Sequence, residues 1–375
     1  MERCDKLPGA LTPRTGTRRG IVAIAAAAAL VAFGAGCGGS KGTGETAAAP
    51  ADSNAEVSGT LRVFAYEDSV TPEMIDPVRE ANPDLKIETA TFDSDDEAAA
   101  KLAGGFSADV VEVCADEMQP LLDQGLIRPL DPKGISSWDD LSFTSADGIE
   151  LDGKQYGVPL SAGLEGLVYN TEQVPGGIDE LTDLFAPEFA GRSTIQGSYA
   201  LPAIGEAALA IGIKDPMNLD SQELDRAKQY LIDHADQFRT LWNSDSDLVN
   251  LFKTGETVVA AAGPQLAQRM IDSGIPAKWA YAKDGTLSWV CGFAITSKAQ
   301  NIPAAYSLIN WQSSPQAQAI RARDGYLVTN RKAIPLAPAG YRETSGVKYA
   351  DEAIPETHPP DYPAWVRAFQ DFESQ

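Results

Sequence analysis

A tryptophan and a cysteine lie two residues apart in the run Ser288 to Ile295, late in a chain of 375 residues. The face of a tryptophan ring attracts cations, and a cysteine thiol serves as a nucleophile, a metal ligand or half of a disulfide. Trp, Val, Phe and Ile favour a half-buried extended segment, and Gly285 and Ser297 bound the run. The sequence therefore predicts a strand that carries Trp289 and Cys291.

The cysteines and histidines argue against catalytic thiol chemistry and against a zinc site. Cys114 and Cys291 are the only two of four cysteines that lie beyond residue 37, and neither has a histidine nearby in sequence to activate it. The chain has two histidines, His234 and His358, which are too few and too far apart for a zinc site. No Gly-x-Ser-x-Gly motif is present. We expect no enzyme activity, no metal and no cofactor.

The N-terminal segment has the order of an export signal. Arginines precede an apolar stretch from Ile21 to Phe33, and small residues then lead to Cys37. This order is typical of a bacterial lipoprotein signal, so we predict a signal peptide over residues 1–36, a lipid anchor on Cys37 and a flexible tether over 37–58. Gly34 stands where that pattern usually has Leu, so cleavage and secretion without a lipid remains the alternative.

The net charge and the expected compartment limit the classes of molecule that the protein can bind. The formal net charge is −23, and the predicted signal holds five basic and two acidic residues, which leaves −26 for the remainder. Such a surface repels nucleic acid and anionic lipid headgroups, so no nucleic-acid partner is expected. It also attracts cationic solutes, although an acidic surface kept for solubility is the plainer explanation. In an oxidising compartment the two body cysteines are more often bridged than free.

Strand and helix patterns alternate three times between residues 60 and 124, which predicts a parallel sheet with crossover helices. In open sheets of this kind ligands bind beyond the carboxyl ends of the strands. Three segments are expected there: Tyr66 to Ser69, Asp93 to Asp96 and Cys114 to Asp116.

A second set of strands and helices is predicted from Thr171 to Tyr281. It includes a helix at Asp179 to Leu184 and a strand at Phe238 to Trp242, and a turn over Ser161 to Gly166 precedes it. Because the chain is longer than one ordinary core needs, we expect two lobes. The last helix, Pro363 to Phe372, presents an apolar face that fits core packing.

Several short stretches carry a family likeness through their order and spacing: Val63 to Asp68, Asp109 to Val111, Gln124 to Ile127, Tyr156 to Pro159, Leu184 to Gly191, Asn243 to Asp245, Gly255-Glu256, Ser288-Trp289 and Gly325-Tyr326. With these, the chain from about Thr60 to Ala333 resembles the spermidine/putrescine-type solute-binding proteins of bacterial ABC importers. The resemblance implies an α/β fold of the type II periplasmic-binding-protein kind. Each lobe would be a mainly parallel sheet flanked by helices, and hinge strands would cross between the lobes.

The resemblance also implies a division of the chain and a mode of action. The first lobe is expected over 59–168 plus 290–320 and the second over 169–289 plus 321–375, with hinges at Leu167 to Asn170 and Leu287 to Gly292. A monomer would close on its solute and deliver it to an ABC permease and its ATPase. The protein would be exported and held on the outer face of the cell membrane. A signalling role would use the same closure and stays open.

Members of that family hold polyamines between aromatic faces and carboxylates. The resemblance implies that Tyr66, Trp289 and Tyr326 supply the aromatic faces and that Asp68 supplies a carboxylate. Asp116, after the third strand, and Glu165, in the predicted turn, are candidates for further carboxylates.

Two departures from the family pattern bear on the ligand and the cysteines. Cys291 stands where the family has an amine-binding Asp, and the implied fold places the returning strand antiparallel to the third strand, so that Cys291 would meet Cys114 in a disulfide on the cleft floor. Ser198 and Tyr199 stand where carboxylates are expected, at the predicted start of a helix. Backbone N–H groups there suit an anion. We expect a polyamine or related amine as the ligand, with an anionic or zwitterionic solute as the alternative.

Overall fold

The computed structural model describes residues 57–146 and 148–375. The predicted signal peptide, the predicted anchor at Cys37 and all but the last two residues of the tether lie outside the described residues. Within those two ranges, no helix is both long enough and apolar enough to span a bilayer.

The strands alternate with helices through most of the described chain. The strands are β1 Gly59–Ala65, β2 Leu85–Thr91, β3 Val110–Cys114, β4 Ile127–Arg128, β5 Glu150–Leu151, β6 Lys154–Gln155, β7 Gly157–Leu164, β8 Leu167–Asn170, β9 Ser193–Thr194, β10 Val259–Ala261, β11 Ala277–Ala280, β12 Leu287–Thr296 and β13 Ile354–Pro355. The α-helices are α1 Pro72–Ala81, α2 Asp95–Ala103, α3 Ala115–Asp123, α4 Ala200–Ala210, α5 Ser221–Asp233, α6 Asp245–Thr254, α7 Pro264–Asp272, α8 Ile302–Gln312, α9 Pro315–Arg323, α10 Tyr341–Thr344 and α11 Tyr362–Glu373.

The larger sheet has the strand order β13-β12-β3-β1-β2, and β4 and β7 also pair with β12. β1 runs parallel to β2 and β3, whereas β12 runs antiparallel to β3, β4 and β7. Side chains of β1 are buried on both faces: Leu61 and Val63 join a core with α1 and α8, while Phe64 joins a core with α2 and α3. The alternation and the β-branched and aromatic residues of this segment predicted the strand, and its apolar side chains fill both cores.

The smaller sheet has the order β11-β8-β10-β9. β10 runs parallel to β9, but β8 is antiparallel to both of its neighbours. Both sheets are therefore mixed rather than mainly parallel. β8 runs against both of its neighbours, and β12 runs against β3, β4 and β7 although it is parallel to β13.

Three predicted elements differ from the structure. Ser161 to Leu164 belongs to strand β7 rather than to a turn, because the segment pairs with β12 along its length. Phe238 to Trp242 forms only isolated bridges, Ser193 with Phe238 and Gln196 with Trp242, instead of a strand. In place of the helix predicted at Asp179 to Leu184, the structure has a short 3₁₀ helix at Leu181–Phe185.

The predicted assignment of residues to lobes stays a prediction, and the contacts show which sheet each segment joins. Trp365 and Phe369 of α11 are buried in the core of the smaller sheet with α4 and α5. Leu327, in contrast, bridges to Ala162 of β7, and β13 pairs with β12, so the stretch from Leu327 to β13 contacts the larger sheet.

Candidate functional site

A cavity of about 530 Å³ lies where the carboxyl ends of β1 and β3 face α4, α6 and α7. It falls within the size range of small-molecule sites. Each residue predicted from sequence to contact the ligand lines it: Tyr66, Asp68, Asp116, Glu165, Ser198, Tyr199, Trp289 and Tyr326. The structure thus brings the eight together, and their contact with a ligand stays a prediction.

A disulfide joins Cys114 to Cys291, as predicted. The two residues are direct partners in the antiparallel β3–β12 ladder, with Cα atoms 3.7 Å apart, and both line the cavity. The bridge therefore occupies the floor of the site and ties together the strands that bear its walls.

Asp68, Glu112 and Arg321, here called the arginine-paired cluster, form a buried ionic group beside the cavity. The Arg321 guanidinium donates to the Asp68 carboxylate and to the Ser69 hydroxyl, and it lies 3.9 Å from Glu112. Burial acts to raise the pKa of Asp68, but the charges of Arg321 and Arg269 and the hydrogen bonds from Tyr326 and Arg321 together outweigh burial, and the pKa falls below its usual value. Burial dominates at Glu112 and raises its pKa to about 7. One cation thus compensates two carboxylates.

A second ion pair lies at the wall formed by α6 and α7. Arg269 contacts Asp245 at 2.8 Å and donates to the Tyr326 hydroxyl at 3.3 Å. This wall therefore carries little net charge, and its guanidinium is already occupied by protein groups.

Glu165, Glu206 and Glu356, here called the glutamate cluster, have a different environment. The backbone N–H of Glu165 donates to Leu287 and that of Glu356 donates to Ser288, so both are anchored at the start of β12. Glu206 is on α4, whose Gly205 packs against Leu287. Glu165 and Glu356 line the cavity, and Glu206 and Glu356 are 5% and 8% exposed.

Each carboxyl of the glutamate cluster resists ionisation. Burial, followed by the charge of Asp245, raises the pKa of Glu165 to about 7. Burial and the charge of Glu165 hold the pKa values of Glu206 and Glu356 well above their usual range. One carboxylate oxygen of Glu206 and one of Glu356 lack a hydrogen-bond partner. An unpaired buried carboxyl is costly to ionise, so the cluster favours whatever brings a positive charge.

Aromatic rings form further walls of the cavity. Trp289 and Tyr326 meet edge to face at 6.0 Å, and Tyr66 meets Phe92 at 4.6 Å. Gly163 of β7 lies under the Trp289 ring, where an added Cβ would come within 2.3 Å of an indole carbon. The indole thus lies flat against the strand because residue 163 has no side chain.

Asp116 and Tyr199 connect the two sides of the cavity. The Tyr199 hydroxyl donates to the Asp116 carboxylate across the space between α4 and α3. Burial, then the charge of Glu117, raises the pKa of Asp116 to about 6. Ser198 and Tyr199 do precede α4, as predicted, but the Tyr199 side chain there faces a carboxylate.

Sequence reasoning missed Glu112, Glu206, Glu356 and Arg321. Two of them left a signal, because Glu112 interrupts an otherwise apolar strand and Glu206 interrupts an apolar helix. A charged residue in such a run is seldom fully buried unless it has a function or a partner. Glu356 and Arg321 left none.

The acids of the cavity wall outnumber the bases. Arg269 is the one basic residue among the described residues that line the cavity, against nine carboxyl groups. No grouping of His, Cys, Asp and Glu suited to a metal ion occurs in residues 57–146 and 148–375. An organic cation with an apolar chain is the complementary ligand, because ring faces and carboxylates both favour it.

Known proteins resemble this chain in sequence and in fold. The chain matches the family model for bacterial extracellular solute-binding proteins over residues 73–348. The putrescine-binding periplasmic protein PotF of Escherichia coli is 24% identical over 312 residues, which cover 77% of this chain and 82% of PotF. A putative spermidine/putrescine ABC transporter protein from Listeria monocytogenes has a TM-score of 0.73 at 22% identity and covers 84% of this chain and 99% of its own.

The PBP MotA from A. tumefaciens, solved in complex with glucopine, has a TM-score of 0.69 at 18% identity, covering 84% of this chain and 99% of its own. At such identities the solved structures show the fold, and the predicted two-lobed α/β fold of periplasmic binding proteins is confirmed. Since the family model covers most of the sequence, the chain belongs to the bacterial extracellular solute-binding protein family.

Proposed function

We propose that the protein is the substrate-binding lipoprotein of an ABC importer and captures a polyamine or a related amine. The observation that carries the proposal is the acidic, aromatic cavity, in which one arginine faces nine carboxyl groups. The name of the E. coli relative, a putrescine-binding protein, supports the same class of ligand.

An amine fits the cavity better than an anion does. The guanidinium groups of Arg269 and Arg321 are engaged by Asp245 and by Asp68. At the start of α4, the site that would suit an anion, the Tyr199 hydroxyl contacts Asp116. A bound carboxylate or phosphonate would therefore meet acids that no free cation offsets.

We assign the eight predicted residues the following roles. Tyr66, Trp289 and Tyr326 cover the methylene chain of the ligand, and Asp68, Asp116 and Glu165 draw its ammonium groups. Ser198 and Tyr199 close the side formed by α4. Carboxylates alone would bind any cation, so the aromatic faces supply the preference for an organic one.

Capture would proceed by rotation of the lobes about two short links. The chain passes from β7 to β8 through Glu165 and Gly166, and from β11 to β12 through residues 281–286. Gly166 and Gly285 in these links have φ angles of +135° and +142°, which only glycine adopts readily. We therefore place the hinges in the links, beside the predicted strand positions, and assign α11 to the lobe of the smaller sheet and β13 to the lobe of the larger one.

Delivery would depend on the N-terminal segment. A lipid on Cys37 would hold the protein as a monomer on the outer face of the cell membrane, and the closed form would dock on the permease and its ATPase. Export to that compartment agrees with the Cys114–Cys291 disulfide.

Thermal unfolding with a panel of solutes tests the proposal. Putrescine and spermidine at one hundred times their Kd should stabilise the protein by about 2.7 kcal/mol, while succinate, phosphonoacetate and glutamate should not. Trp289→Ala should abolish most of the shift, and Trp311→Ala, outside the cavity, should retain it. Stabilisation by the anions alone would overturn the assignment of an amine.

A further inference from the structure

The glutamate cluster is a group of buried acids that the general affinity for cations does not explain. Glu206 and Glu356 are more than nine-tenths buried and each has an oxygen without a hydrogen-bond partner. Glu356 also lines the cavity, as Glu165 does. Asp109, a buried acid outside the cavity, is in contrast paired, because it accepts hydrogen bonds from the backbone N–H groups of Arg62 and Gln300.

Within residues 57–146 and 148–375, no basic side chain acts on the carboxyl groups of the cluster. The charged groups that act on Glu165 and Glu206, other than the cluster itself, are Asp245 and Asp284. Asp116 acts on Glu356 from the start of α3. Two bases pair with neighbouring acids: Arg269 pairs with Asp245, and Nδ1 of the partly buried His358 lies 3.4 Å from the Glu117 carboxylate.

One member of the cluster is linked to an aromatic wall. The Trp289 indole hydrogen-bonds to the Glu165 carboxylate and favours its ionised form. The same tryptophan therefore presents a ring face to the cavity and orients a carboxylate at its edge, which is the combination that an alkylammonium group requires.

We propose that Glu165 and Glu356 form a subsite for one terminal ammonium group of the ligand and that filling the subsite releases a proton to solvent. Glu206, on α4, influences the ionisation of this pair. The proposal rests on the proposed function. In the step, a protonated carboxyl of the cluster loses its O–H proton to water, and the resulting carboxylate accepts an N–H hydrogen bond from the incoming ammonium, which keeps its own charge. For each ligand bound, one carboxyl group becomes ionised and one proton enters the solvent.

The physical basis is the burial of these acids without a compensating cation. Burial raises the pKa of Glu165 to about 7 and holds the pKa of Glu356 well above its usual range, so the empty subsite holds protons near neutral pH. A desolvated ammonium beside these groups stabilises the charged form and lowers their pKa values. Affinity should therefore rise with pH between about pH 6 and 8, well below the range of about 10 in which alkylamines lose their own charge.

Calorimetry of putrescine and spermidine binding in buffers of different ionisation enthalpy tests the proposal. At pH 7 the intact protein should release about one proton per ligand. Glu356→Gln should bind putrescine about thirtyfold more weakly, since a buried charge pair is lost. Glu206→Gln should release markedly fewer protons per ligand than the unchanged protein does, while it retains measurable affinity for putrescine. A purely structural role of Glu206 would not give this result.

Glu352→Gln is the matched control. It removes one carboxylate from the same segment, four residues before Glu356, but Glu352 is exposed and outside the cavity. Its affinity and proton release should equal those of the unchanged protein. Amine binding with no proton release, or with full affinity in Glu356→Gln, would overturn the subsite and leave the proposed function intact. A protein that binds no amine would overturn both.

Discussion

The arginine-paired cluster and the glutamate cluster both bury carboxyl groups at one cavity, yet only the first contains its own cation. Arg321 contacts Asp68 and lies near Glu112, whereas the charged groups that act on Glu165, Glu206 and Glu356 are all acids. A buried charge that the protein neutralises is already at its preferred state. A buried carboxyl without a partner costs free energy, and a cationic ligand can offset that cost.

The comparison separates two uses of the same chemistry. The arginine-paired cluster holds α9 to the loop after β1 and so maintains the shape of the wall. The glutamate cluster lowers the free energy of unfolding of the empty protein, and a bound cation restores it. Functional sites commonly reduce stability in this way.

Removal of Arg321 should have the largest effect. Arg321→Met leaves the buried Glu112 and the partly buried Asp68 without their cation, and the free energy of unfolding should fall by about 3 to 5 kcal/mol. Urea denaturation at pH 7 measures it. Arg323→Met is the control, because Arg323 pairs with Glu73 at an exposed surface, where the loss should stay within about 1 kcal/mol. Equal losses in the two variants would contradict the distinction.

Loss of the disulfide should rank next. It links β3, which bears Glu112, to β12, against which the glutamate cluster is anchored. The double variant Cys114→Ser/Cys291→Ser should lose about 2 to 4 kcal/mol in the free energy of unfolding, because the bridge closes a long loop. The reduced parent protein is the comparison and should unfold at the same urea concentration as the variant. If the oxidised parent also unfolded there, the bridge would add nothing.

Glu206→Gln should shift stability in the opposite direction from Arg321→Met. Removing an unpaired buried acid should raise the free energy of unfolding of the empty protein by about 1 to 2 kcal/mol at pH 7. The raised pKa values also set a pH dependence: the folded protein holds protons that the unfolded chain releases near pH 4.5, so stability should fall as pH rises from about 4.5 through 7.

In Glu206→Gln that fall should be shallower, and denaturation series at several pH values measure the slope. Glu352→Gln, at an exposed position outside the cavity, should follow the parent curve. A steeper fall in Glu206→Gln would show that the cluster is not the source of the dependence.

Trp289→Phe should have the smallest effect. Phenylalanine keeps a ring face but cannot donate to Glu165, and the lost hydrogen bond should weaken putrescine binding about fivefold, or roughly 1 kcal/mol. Trp311→Phe is the control, because its indole donates to the carbonyl of Met74 and lies outside the cavity. Titration calorimetry compares the two, and an undiminished affinity in Trp289→Phe would argue against the link to Glu165.

The sequence predicted the residues that follow strands and missed those that depend on distant packing. Tyr66, Asp68 and Asp116 follow strands of the larger sheet, and this position alone brings them to one edge. Cys114 and Cys291 were paired through the implied strand order. Such inferences need only local patterns and a topology.

Arg321 shows why the rest was not predictable. It lies on α9 among alanines and glutamines, where an arginine is ordinarily solvated, and its partner Asp68 is 253 residues away. β7 was missed for another reason: its glycines and Pro159 are typical of loops, but pairing with β12 overrides local preference.

Gly163 offers a way to separate shape from charge at this site. Since a methyl group there would collide with the Trp289 indole, Gly163→Ala must push the ring off the strand. The substitution alters no ionisable group, so every carboxylate of the cavity is retained. The variant protein would therefore attract amines as strongly as the parent does, but the displaced Trp289 ring would obstruct their binding in the cavity.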